Sequence, residues 1–82
     1  MRTIKQLLEL MLEHKALFHA GLCIWATNLC TYNLITYDEV ILLQKYITAN
    51  KPENAGNLFY WEMGKIAPRI KWINTQIENL KN

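Results

Sequence analysis

From Ala16 to Tyr37 this chain carries no Asp, Glu, Lys or Arg. In a chain of 82 residues, so long an uncharged stretch leaves two outcomes: it crosses a membrane, or it forms the centre of the fold. A spanning helix needs about 20 mostly apolar residues. Here His19, Asn28, Asn33 and the threonines Thr27, Thr31 and Thr36 interrupt the stretch, and such groups are costly in lipid. The segment therefore reads as a buried helix followed by a turn, and no membrane is expected as a partner.

Helical periodicity organises the rest. Thr3 followed by Gln6 has the form of a capping box, and Ile4, Leu7, Leu8 and Met11 then recur at helical spacing. Lys15 falls on that apolar stripe, which ends or bends the first helix around residues 13–16. A second helix is expected from about Leu17 to Cys30, apolar nearly all round and so the most buried element. After a turn at Thr31–Ile35, Thr36 and Glu39 form a second capping box. Asp38 and Glu39 suit the helix dipole there. Val40, Leu43 and Ile47 form the stripe of this third helix, Leu42 and Tyr46 widen it, and Asn50-Lys51-Pro52 ends it. Pro52, Gly56 and Gly64 mark residues 51–67 as a long loop, with Leu58-Phe59-Tyr60-Trp61 as a possible short extended piece. Pro68 fits the first turn of a last helix. In that helix Ile70, Ile73, Ile77 and Leu80 alternate steps of three and four. The expected fold is all-α: one soluble domain over residues 1–82, a compact bundle of about four helices with a long aromatic loop before the last.

Size and composition bound the function. So short a chain buries only about 60% of its unfolded surface, yet 51% of its residues are hydrophobic and three are Trp. Part of that apolar surplus is available to a partner or a second copy. The seam on the last helix has two readings, packing within the chain or closing a homo-oligomer. The net charge is only +2 and no Lys/Arg run exists, so duplex nucleic acid is not an expected partner. Cys23 and Cys30 lie seven residues apart, about 10 Å along one helix and too far for a disulfide. Both read as reduced core residues of a cytoplasmic protein.

Nucleophilic catalysis has little to work with. The chain has no Ser, and its one Asp, Asp38, is accounted for by helix capping. His19 and Cys23, four apart on the expected second helix, would share a face as a dyad or half a metal site. No third group orients them and no second pair completes four ligands, so neither an enzyme nor a cofactor or metal is expected; His14 reads the same way.

The run Phe59 to Trp72 is the most informative. It places Tyr60, Trp61 and Trp72 among Lys65, Arg69 and Lys71. On a helical wheel Arg69, Trp72, Gln76 and Asn79 share a sector beside the isoleucine seam. Aromatic faces with adjacent cations suit a flat anionic ligand, the ring stacking and the cations taking phosphates. The structural alternative is that the tryptophans plug the core and Arg69 stacks on one of them.

The order Gly21-Leu22-Cys23, Ile35-Thr36 with Glu39, Tyr46-Ile47, Asn50-Lys51-Pro52, Tyr60-Trp61 with Gly64, Pro68-Arg69-Ile70 and Trp72-Ile73 resembles a group of small uncharacterised accessory proteins of tailed bacteriophages. The likeness covers most of the chain from residue 18 onward. It implies a counter-defence product acting in the cytoplasm of an infected bacterium, either by sequestering a nucleotide-derived signal molecule or by blocking a host protein. The resemblance carries no assigned functional residues. On the residues themselves, the ligand-binding set is Tyr60, Trp61, Lys65, Arg69, Lys71 and Trp72, most naturally completed between protomers of a homo-oligomer. The competing expectation is an inhibitor docking the same aromatic surface onto a host protein; composition does not separate the two, since Trp, Tyr and Arg are also the residues of protein hot spots.

Overall fold

The computed structural model describes residues 1–19, 21–51 and 66–81. Four α-helices occur in them: α1 over Ile4–Glu13, α2 over Leu22–Thr31, α3 over Tyr37–Ala49 and α4 over Ala67–Asn79. A 3-10 turn, Lys15–Leu17, follows α1. The described residues contain no β-strand, only an isolated bridge between His19 and Gly21. The all-α bundle expected from periodicity is the observed one. None of these helices is long and apolar enough to cross a membrane. The possible extended piece at Leu58–Trp61 lies outside the described residues.

Both capping boxes form. The Gln6 N–H donates to Thr3 Oγ1 (3.1 Å) while the Thr3 N–H donates to Gln6 Oε1 (2.9 Å), satisfying two orphan donors of α1. Leu7, Leu8 and Met11 then face inward. The helix stops at His14, so Lys15, four residues after Met11, stays exposed instead of entering the core. As a hub, α1 packs against α2, α3 and α4.

The second helix begins at Leu22, not Leu17. The intervening backbone is claimed by side chains of α2 itself. Trp25 Nε1–H donates to the His14 carbonyl (3.1 Å), and Asn28 Nδ2–H donates to the Leu17 carbonyl (2.8 Å). In one continuous helix those carbonyls would have served N–H groups four residues on. Here the chain instead folds back across α2, and the Phe18 ring meets Trp25 edge-on, with centroids 5.3 Å apart and planes at 90°. Leu22, Cys23, Trp25, Ala26 and Leu29 are buried. Both cysteines are free thiols, Cys23 buried and Cys30 partly so, and burial pushes the Cys23 thiol up from its ordinary value. His19 precedes α2 and is exposed, so it shares no helical face with Cys23. Among the described residues, no three His, Cys, Asp or Glu side chains group to hold a metal ion.

A Schellman turn closes α2. Leu34 N–H bonds the Leu29 carbonyl and Asn33 N–H bonds that of Cys30, both at 2.9 Å. Asn33 sits at φ 62, a left-handed position that an Asn tolerates and a β-branched residue does not.

The start of α3 is joined to the start of α1. Glu39, 2% exposed, accepts the Thr36 N–H on Oε1 (2.9 Å) within its own capping box. The same carboxylate takes the Arg2 guanidinium on Oε1 and the Arg2 backbone N–H on Oε2, each at 2.8 Å. The Thr36 and Arg2 backbone donors hold its pKa below the ordinary carboxylate value against the opposing effect of burial, with the Arg2 charge adding to them. Further along, Val40, Leu43 and Ile47 are buried as expected. Gln44 Nε2–H donates to the Cys23 carbonyl (3.1 Å) and to Thr27 Oγ1 (3.0 Å), joining α3 to α2.

Two outcomes follow from these turns and caps. Asn33→Gly should leave thermal stability equal or higher, whereas Asn33→Val should destabilise by about 1–2 kcal/mol, a fall of several degrees in melting temperature. Because its folded pKa is lowered, Glu39 contributes stability that is fully present above the ordinary carboxylate value near about 4.3. That contribution is lost as pH falls below it. Glu39→Gln keeps a capping-box residue but removes the ion pair. It should cost about 1–3 kcal/mol at neutral pH and flatten the acid limb in melts recorded from pH 7 to pH 3.

Candidate functional site at the α3–α4 flank

Ile66 caps α4 and Pro68 lies in its first turn, where a missing N–H breaks no helical bond. The Arg69 and Ile70 N–H groups both reach the Ile66 carbonyl at 2.9 Å. The inward face of α4 is set by Arg69 and Ile73, the two buried residues of the helix. Ile66, Ile70, Trp72 and Ile77 pack partly buried against the core. The isoleucine seam is therefore used within the chain, largely against α1, and only its last member, Leu80, is substantially exposed, at 37%.

The flank of α4 that carries Trp72 and Gln76 turns toward the C-terminal half of α3. Trp72 Nε1–H donates to the Asn50 carbonyl (3.1 Å). Tyr46 Oη–H donates to Gln76 Oε1 (2.6 Å). Between these bonds the Tyr46 and Trp72 rings lie 6.5 Å apart at 56°, within the range of favourable tilted aromatic pairs. Asn50 Nδ2–H returns to the Tyr46 carbonyl (3.0 Å) and closes the end of α3. Burial pushes the Tyr46 phenol up from its ordinary value, so it remains a neutral donor at physiological pH.

Of the expected ligand-binding residues, the structure brings Trp72 onto this flank and Arg69 onto the inward face of the same helix. Arg69 is 5% exposed, more enclosed than a residue beside the seam was expected to be. It stands four residues before Ile73 and so shares that residue's inward face. Lys71 lies on the opposite, exposed side of α4, along an open groove with Ala67, Ile70 and Asn74. Its charge and that of Arg69 do not converge within one chain. Tyr60, Trp61 and Lys65 lie outside the described residues.

Tyr46 and Asn50 were not singled out from sequence as parts of this flank. Tyr46 reads as one more apolar position of α3; the cue is its hydroxyl, which a tyrosine on a half-buried stripe must place against a partner. The Asn50 carbonyl carries no sequence signal, being a backbone group at a helix end.

No family model, curated protein or solved structure matches this chain.

The flank makes a direct test. Tyr46→Phe keeps the ring against Trp72 and removes the bond to Gln76. It should lower stability by about 0.5–1.5 kcal/mol, read as a lower melting temperature with an unchanged helical spectrum.

Proposed function

We propose that this chain is a non-catalytic counter-defence protein of the phage accessory type, which sequesters an anionic, nucleotide-like signal molecule in the cytoplasm of an infected bacterium. The observation that carries the reading is the flank of α4. There Arg69, 5% exposed, lies one turn before Trp72, whose ring pairs with that of Tyr46. Aromatic faces beside a planar cation suit a base with its phosphate. Tyr60, Trp61 and Lys65, just before α4 in sequence, complete the set. Lys71 faces away from Arg69, so in this reading it meets a ligand shared with a second protomer, consistent with a site built by a homo-oligomer. With no Ser in the chain, Cys23 buried with its thiol pushed up and Asp38 in the first turn of α3, this reading assigns no nucleophile.

A second reading, inhibition by docking onto a host protein, has an observation of its own. Tyr32 is 64% exposed at the end of α2. It borders a groove of about 360 Å3 lined by His14, Leu17 and Leu34 among others. An aromatic on a hydrogen-bonded turn beside an apolar groove is the make-up of a protein hot spot.

Purification from cells with and without active defence signalling, followed by denaturation and mass spectrometry, separates the two. Sequestration releases a nucleotide only from signalling cells; docking yields a stoichiometric host protein and no nucleotide. Arg69→Lys keeps the charge without the planar fork and should weaken nucleotide retention at an unchanged fold. Arg69→Ala should reduce it roughly 10- to 150-fold. If Arg69→Ala lowers the melting temperature but retains full binding in the cold, Arg69 is structural and the sequestration site lies elsewhere.

A further inference from the structure

The outward face of α3 carries both halves of a helix-packing contact. Tyr37 stands 71% exposed in the first turn, and Ile41, one turn on, is 38% exposed. Beyond them lies an open depression of about 400 Å3 lined by Ile41, Gln44, Lys45, Thr48 and Ala49. Its first four residues stand at i, i+3, i+4 and i+7, the corners of the hole that receives one side chain from a facing helix.

We propose that α3 pairs antiparallel with α3 of a second copy about a two-fold axis at Ile41, each Tyr37 entering the other's depression. The spacing fits this arrangement. At 1.5 Å per residue, Tyr37 lies about 6 Å from Ile41 toward the N-terminus, and the centre of the depression lies about 5 Å from Ile41 toward the C-terminus. A two-fold axis at Ile41 reverses the partner helix and brings Tyr37 of the partner subunit over the depression. The contact is then made twice by one self-complementary surface, with the two Ile41 side chains meeting at its centre.

Charge selects the direction. Asp38 and Lys45 are both exposed and stand seven residues apart, two turns along the same face. Antiparallel pairing sets Asp38 against Lys45 of the partner subunit, and Lys45 against Asp38 of the partner subunit. In-register parallel pairing would set each against its own kind. The antiparallel arrangement also opposes the two helix dipoles favourably. This assembly surface differs from the isoleucine seam of α4, which is used within the chain, and it stands whatever ligand the protein takes.

Sedimentation equilibrium over a wide concentration range tests the pairing, with thermal melts of each variant confirming the fold. The wild-type chain should show a concentration-dependent dimer. Tyr37→Ala should weaken it about ten-fold or more. Asp38→Lys and Lys45→Asp, each alone, should weaken it about ten-fold by turning two attractions into repulsions. An equimolar mixture of those two folded variants should recover association as a heterodimer, because every facing pair is then of opposite sign. A chain that stays monomeric at millimolar concentration overturns the proposal. So does a dimer indifferent to these substitutions, or a mixture that associates no better than its components.

Discussion

One carboxylate joins the beginnings of two helices. Glu39 completes the capping box of α3 with one oxygen and, through Arg2, reaches the residue just before the Thr3 cap of α1. A buried charge is costly unless it is paired and hydrogen-bonded. Glu39 meets that condition with two backbone N–H groups and a guanidinium whose side chain is 42% exposed. Arg2 thus keeps one side in water and avoids most of the desolvation that makes fully buried pairs weak. The placement matters because α1 is the hub against which the other three helices pack. Fixing its first turn to that of α3 sets the frame for all of them.

Within that frame, polar groups of the most apolar helix serve its neighbours. Trp25 and Asn28 of α2 satisfy carbonyls of the α1–α2 connection, and backbone and hydroxyl oxygens of α2 receive Gln44 from α3. Each bond contributes about 1 kcal/mol net. Their larger effect is directional: apolar packing tolerates sliding, whereas these bonds allow one register. So small a domain cannot rely on area alone, and this one adds side-chain hydrogen bonds between α2 and α3 and between α3 and α4.

The α3–α4 flank follows the same logic, and the proposed sequestration rests on it. Trp72 and Tyr46 present large rings whose polar tips are already engaged with Asn50 and Gln76. Such rings are held in place at low entropic cost, which is the condition for a preorganised stacking surface. The outer face of α3 differs in kind, with an aromatic, an isoleucine and two opposite charges left to solvent. In the two proposals, one helix supports the ligand site on its inner flank and meets a second copy on its outer face.

Local sequence carried the elements that depend on neighbours in the chain. The Thr3–Gln6 and Thr36–Glu39 boxes, the stripes of α1 and α3, the stop before Pro52 and the Pro68 start of α4 all arise from contacts within one or two turns, and periodicity exposes them. Where long-range contacts compete with local propensity, the reading failed. The second helix is expected to begin at Leu17, but Gly21 caps α2, and Trp25 and Asn28 bond the backbone of His14 and Leu17 in the turn before it. The wheel set Arg69 and Trp72 on one helix, and α4 carries both. That Arg69 is enclosed, that Lys71 faces away, and that Tyr46 and Asn50 complete the flank depend on how α4 lies across α1 and α3. Local contacts are encoded within a few residues of one another and can be read one turn at a time. The angle between two helices is set by side chains far apart in sequence, so it exists only once the chain has packed.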